Sequence, residues 1–484
     1  MKKGLFAQKS VESMLALADS EARHTGLRKA LGPIQITTLG IGAIIGAGIF
    51  VLTGQAAANY AGPAIVYSFI IAALISLFAA LCYAEMASLV PVSGSAYTYA
   101  YVCMGEFPAW LIGWVLIMEY LLTLATVAVG WSGYFTSFLE DCGIKISTAL
   151  SNAPLAYDSV HGWAKTGAYI NIPALCVVGV IGVFVALGIR VAASINSIMV
   201  VIKMLVILLF IVFGIAFINM DNWVPFIPPN TGNFGEFGWS GILRGAGVVF
   251  FAYNGFDAIS TLAQEARNPK KDLPLGMLGS LGISTIVYIL MALLLTGLVS
   301  YTMLNVSDPI GVAINVLGPK WMWLRFFVKL GILSGLASVI LVMLLGTTRV
   351  LYTISHDGLL PKSFGKIHSR FRTPAFGTLV VTLIAMIMAA LFPVGMLGLL
   401  VSIGALLVFG FVCVGILILR YTKPSLKRPF KCPMFPLIPF LGGAACLMQM
   451  FLLPMETWRQ LLAWMILGCA VYFFYGRKHS KLQR

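Results

Sequence analysis

Residues 40–50 read Gly40-Ile-Gly-Ala-Ile-Ile-Gly-Ala-Gly-Ile-Phe50, which puts glycines at 40, 42, 46 and 48 inside one apolar run. A second stretch, Phe250-Phe-Ala-Tyr-Asn-Gly-Phe-Asp257, sets Asn254, Gly255 and Asp257 at the centre of another apolar run. A glycine costs ~1 kcal/mol in a helix interior, and an acid at membrane depth costs more. Counted from the N-terminus, these are the first and sixth of the membrane-length segments, five helices apart. An odd number of crossings turns a second copy of the unit upside down. Matching interruptions in two inverted halves point to the substrate site of a transporter. Gly42 and Gly46 also fit a small-xxx-small packing seam. Packing accounts for Gly40 and Gly42, but not for Gly46 and Gly48 placed opposite a polar break. A nucleotide-binding glycine loop is excluded, because no strand precedes Gly40.

Composition agrees with a lipid environment. The 484 residues are 60% hydrophobic and 10% charged, against about 25% charged in soluble domains. Spans of ~20 apolar residues are expected at 34–58, 63–90, 109–134, 172–188, 195–218, 239–263, 274–299, 325–354, 374–391, 394–419, 435–453 and 459–475. The expected layout is an all-α polytopic membrane protein of about twelve helices. It comprises a tail at 1–33, a first five-helix repeat at 34–219, an inverted repeat at 239–419, two further helices within 420–476, and a tail at 477–484. A short interfacial segment is expected near 93–107. No cleavable leader is evident before the first span.

The formal charge of +15 resembles a nucleic-acid signal until the charges are placed. Twenty-four of the 32 Lys and Arg fall in segments on one side of the predicted spans. By the positive-inside rule both termini are cytoplasmic, and the basic clusters at 362–372 and 423–431 face anionic lipid. No nucleic-acid partner is expected. The eight cysteines and five histidines form no disulfide or metal-ligand pattern, so neither a metal nor a cofactor is expected.

If the first span unwinds at Gly46–Gly48, its second half-helix begins there and offers free N–H groups that suit a carboxylate. If the sixth unwinds near 253–255, the carbonyls ending its first half accept from an ammonium group. Donors on one side and acceptors on the other match the zwitterion of an α-amino acid. The expected substrate contacts are Ile44, Ile45, Gly46, Ala47 and Gly48 at the first break, with the carboxylate near Gly46–Gly48, and Phe251, Ala252 and Asn254 at the second, with the amine. Phe251 lies where a ring would close over the substrate.

Several ionisable residues fall within spans. Lys203 sits roughly 12 Å into the fifth span, where it either snorkels to water or serves as a buried amine that loads and releases a proton. Glu119, mid-span in the third helix, must be protonated, paired or functional. Asp257 either ties the unwound segment to a neighbour or joins a proton path. Glu85 and Arg349 lie near cytoplasmic ends, where a pair would close an inner gate or anchor loops.

These stretches resemble the amino acid–polyamine–organocation superfamily, and within it the bacterial form of the cationic amino acid transporter branch. The resemblance rests on Gly42–Phe50, Tyr83-Ala-Glu85, Pro91-Val-Ser-Gly-Ser-Ala-Tyr97, Glu119-Tyr120, Phe251–Asp257, Glu265-Ala-Arg-Asn-Pro269, Arg349-Val350 and Asp357-Gly-Leu-Leu-Pro361. It implies the LeuT-type 5+5 fold with helices one and six broken, and uptake of an L-amino acid by alternating access. It also implies that Lys203 stands where sodium-coupled relatives bind the ion. Asn254 departs from the pattern, in which an aliphatic residue is common, and Arg244 adds a charge to the sixth span. The expected function is a proton-coupled, monomeric amino acid importer of the cell membrane, not an enzyme. A sodium symporter and an amino acid or polyamine exchanger are the other transporter readings. A channel lacks its continuous polar stripe, and a sensor lacks a signalling domain.

Overall fold

The computed structural model describes residues 4–11, 14, 31–92, 94–158, 162–187, 189–263, 266–368 and 373–483. Most of the expected tail at 1–33 lies outside the described residues, as do Ser93 and Glu265 of the motifs above. Numbering helices of seven residues or more, the chain forms α1 (Pro33–Ile44), α2 (Ile65–Leu89), α3 (Ser95–Cys103), α4 (Glu106–Asp141), α5 (Ile172–Leu187), α6 (Ile189–Gly214) and α7 (Gly238–Val249). It continues through α8 (Pro269–Leu298), α9 (Pro309–Asn315), α10 (Met322–His356), α11 (Ala375–Leu391), α12 (Val394–Thr422), α13 (Leu437–Phe451) and α14 (Met455–Val471). Proline opens α1, α8 and α9 at or next to the first helical position, where its missing N–H costs nothing.

Among the described residues, six helical segments are long and apolar enough to cross a membrane, and α13 with the helix from Met455 to His479 passes as a seventh, bent by 112°. Shorter apolar helices lie at Pro33–Ile44, Ile172–Ala186 and Ala375–Leu391. In lipid a helix satisfies its own backbone hydrogen bonds, so an apolar chain of this length is driven into this form. The connection after α4 carries a short helix at Thr148–Ser151 and a two-stranded antiparallel hairpin, β1 (Leu155–Asp158) with β2 (Gly162–Lys165).

Helix α4 is the central post, packed against α10 and α12, while α8 lies along α1 and α2. The expected interfacial segment is α3, and it is buried throughout. It packs against α4, α12 and the 3-10 turn at Asp257–Leu262, so it ties the central post to the segment that follows the second break.

Candidate substrate site

Both breaks are present. Helix α1 ends at Ile44, Ile45 is extended (φ −75°, ψ 102°), and a π-helical turn resumes at Gly48–Leu52. No backbone hydrogen bond leaves the amides of Gly46, Ala47 or Gly48 among the described residues. Helix α7 tightens into a 3-10 turn at Phe250–Tyr253, and Asn254 is then extended (φ −64°, ψ 138°). Gly255 follows at φ +118°, a conformation that glycine adopts without steric cost.

The two breaks touch. A Cβ added to Gly48 would stand 2.4 Å from the Cα of Ala252, and one added to Gly255 would stand 2.8 Å from the carbonyl oxygen of Ala43. Backbone therefore meets backbone at the crossing. Tyr288 of α8, which the sequence reading missed, bridges it. Its phenol lies 2.9 Å from the Ile44 carbonyl and 2.7 Å from that of Ala252. One phenolic hydrogen serves one acceptor at a time, so the contact links both breaks without saturating either.

The expected amine acceptors are less open than the sequence suggests. The Phe251 carbonyl accepts from the Asn254 amide at 3.1 Å, and that of Ala252 accepts from Tyr288. The 3-10 turn, by pairing residues three apart, occupies the first of these. Phe251 is buried at the break.

Lys203 is fully buried on α6. Its Nζ donates to the carbonyls of Gly42 at 2.5 Å and Ile45 at 2.9 Å. The side chain turns inward to the end of α1 instead of snorkelling to water. These carbonyls lack helical partners because α1 stops there, so the amine caps the broken helix.

On the other side of the crossing, Asp257 accepts from the Tyr120 phenol and from the Gly255 amide at 3.2 Å. Asn254 donates its amide Nδ2 to Thr123 Oγ1 at 3.1 Å. Glu119 is fully buried, and neither carboxyl oxygen has a hydrogen-bond partner among the described residues. Tyr120 and Thr123 share α4 with Glu119, so one helix face carries this polar set.

The amino acid permease family profile matches residues 31–475 of the chain. The chain belongs to the amino acid permease family. It is 42% identical over 485 residues to the branched-chain amino acid permease BcaP of Bacillus subtilis, covering 100% of each protein. It is 39% identical over 480 residues to the methylthioribose transporter of the same organism, with 99% of each covered. Human cationic amino acid transporter 4 is 35% identical over 407 residues, 84% of this chain and 62% of that protein. The permease is thus a multi-pass membrane transport protein and not an enzyme, and its resemblance to the superfamily holds.

One expected pair is corrected. The permease's Glu85 does not form its ion pair with Arg349. Its carboxylate accepts from Arg420 Nε at 3.0 Å, from a second Arg420 nitrogen, and from the Cys432 amide at 2.8 Å, and it pairs with Arg428 at 3.1 Å. Arg420 ends α12 and Arg428 follows in the next loop, so both arginines reach the end of α2 from one side. Arg349 is half-buried on α10.

Proposed function

We propose that this permease imports an L-α-amino acid across the cell membrane by alternating access, with proton movement at Lys203 as the coupled step. The observation that carries this reading is the Lys203 amine bonded to the Gly42 and Ile45 carbonyls at the first break. A charged amine donates strongly to both and stabilises the closed approach of α1 to α6. Loss of its proton weakens that hold. Binding and proton movement then act on one joint. The free amides of Gly46, Ala47 and Gly48 receive the carboxylate, while the second lone pair of the Ala252 carbonyl receives the ammonium. Phe251 closes over the substrate. Asp257, held by Tyr120, and Glu119 make up the remaining proton-bearing groups.

In this reading the chain crosses the membrane about twelve times. Repeats at 34–219 and 239–419 are inverted, two helices follow within 420–476, and both tails are cytoplasmic. The basic clusters face anionic lipid, and the protein works as a monomer. Sodium coupling fits less well. The amine occupies the carbonyls an ion would need.

A second reading is favoured by the methylthioribose transporter at 39% identity: a neutral thio-sugar in the same cavity. Counterflow in proteoliposomes loaded with mixed amino acids separates the two. The proposal expects exchange of a labelled amino acid that methylthioribose does not inhibit. Exchange of methylthioribose alone overturns it.

A further inference from the structure

We infer that Asn254 is a specificity-determining residue, whose amide oxygen accepts a hydrogen bond from a hydroxyl on the side chain of the transported solute. The inference rests on the amino acid reading above and narrows its substrate class.

The argument begins at Thr123. Its hydroxyl hydrogen is committed to the Glu119 carbonyl four residues back, at 2.7 Å. Toward Asn254, Thr123 Oγ1 is therefore an acceptor, and the group facing it at 3.1 Å must be the amide nitrogen. The Thr123 hydroxyl on α4 thus fixes the flip that side-chain shape alone leaves open. The amide oxygen is left over. It is buried in a residue only 3% exposed, and no donor reaches it among the described residues.

A buried polar atom without a partner costs about 1–3 kcal/mol. Such an orphan is tolerated where a ligand completes it. Asn254 is the first residue of the unwound stretch, two positions after the Ala252 that touches Gly48. Its oxygen is an unpaired side-chain acceptor at the break, where the backbone groups read only the zwitterion, and so it is able to read a polar side chain. An aliphatic residue at this place would offer no acceptor and favour apolar side chains. Asn254 reverses that preference: a hydroxyl satisfies the oxygen, and a methyl of the same shape buries it unsatisfied.

Threonine and valine are that isosteric pair, and serine and 2-aminobutyrate are a second. Competition binding on the purified full-length permease is expected to favour threonine over valine, and serine over 2-aminobutyrate, by roughly fivefold or more. In Asn254→Val the threonine preference is expected to vanish while valine still binds. The wild-type comparison stands even if that variant misfolds, since only the ligand changes. Equal binding within both pairs, or tighter binding of valine, overturns the inference and leaves the amino acid reading intact. Tighter binding of ornithine than of threonine also overturns it, by placing recognition on Glu119. If no amino acid binds, the proposed function fails, and this inference with it.

Discussion

Glu85 on α2 and Glu119 on α4 are both fully buried acids of one bundle, and their surroundings are opposite. Glu85 is held by Arg420, Arg428 and the Cys432 amide. Glu119 has no hydrogen-bond partner on either oxygen among the described residues. Glu106 provides a third case, satisfied without a cation by Tyr101 at 2.7 Å, Tyr472 at 2.9 Å, Gln483 at 2.6 Å and the Ser480 hydroxyl. A buried acid with every lone pair engaged fixes structure, because losing it strands its partners. A buried acid left open beside a broken helix contributes little to the fold and is free to change protonation or partner.

The contrast is broken most severely by Glu85→Ala, which leaves two arginines without their counter-charge. A loss of about 3–5 kcal/mol is expected, read as an earlier thermal unfolding transition in detergent. An unchanged transition would remove Glu85 from the structural class. Tyr120→Phe takes one donor from Asp257 and leaves the Gly255 amide in place. Its expected cost is about 1–3 kcal/mol by the same assay, with weaker substrate affinity because the sixth-span break loosens. Removing residues 480–484 strips the Ser480 and Gln483 donors from Glu106 while Tyr101 and Tyr472 remain. A loss of about 1–2 kcal/mol is expected. Glu119→Gln is expected to move the unfolding transition least, by under about 1 kcal/mol, yet to abolish uptake driven by a pH gradient. A large drop in stability with uptake retained would place Glu119 with Glu85.

The breaks were legible because they are local. Gly46 and Gly48, and Asn254-Gly255, violate helix propensity within a few residues, and five-helix spacing relates them. The buried position of Lys203 could be counted along one span. Its two carbonyl partners were not readable, since their exposure depends on where α1 stops. The partner of Glu85 was misassigned for a related reason. Arg420 lies 335 positions away, and several arginines share that end of the bundle with nothing in the sequence to rank them. Tyr288 was invisible as one tyrosine among 17. Only the crossing of two backbones gives its hydroxyl a task. The Phe251 carbonyl was expected to be open because the turn was read as unwound, whereas the chain tightens into a 3-10 turn before it opens.

The central claim is that the Lys203 amine couples a proton to the first break. The direct test is accumulation of the transported amino acid in proteoliposomes under an inward proton gradient, with Lys203→Met compared against the wild-type permease. The account predicts that the wild type concentrates the solute and collapses to equilibration when the gradient is removed. It predicts that Lys203→Met still binds the solute but does not concentrate it. Concentration by Lys203→Met, driven by the same gradient, would contradict the account.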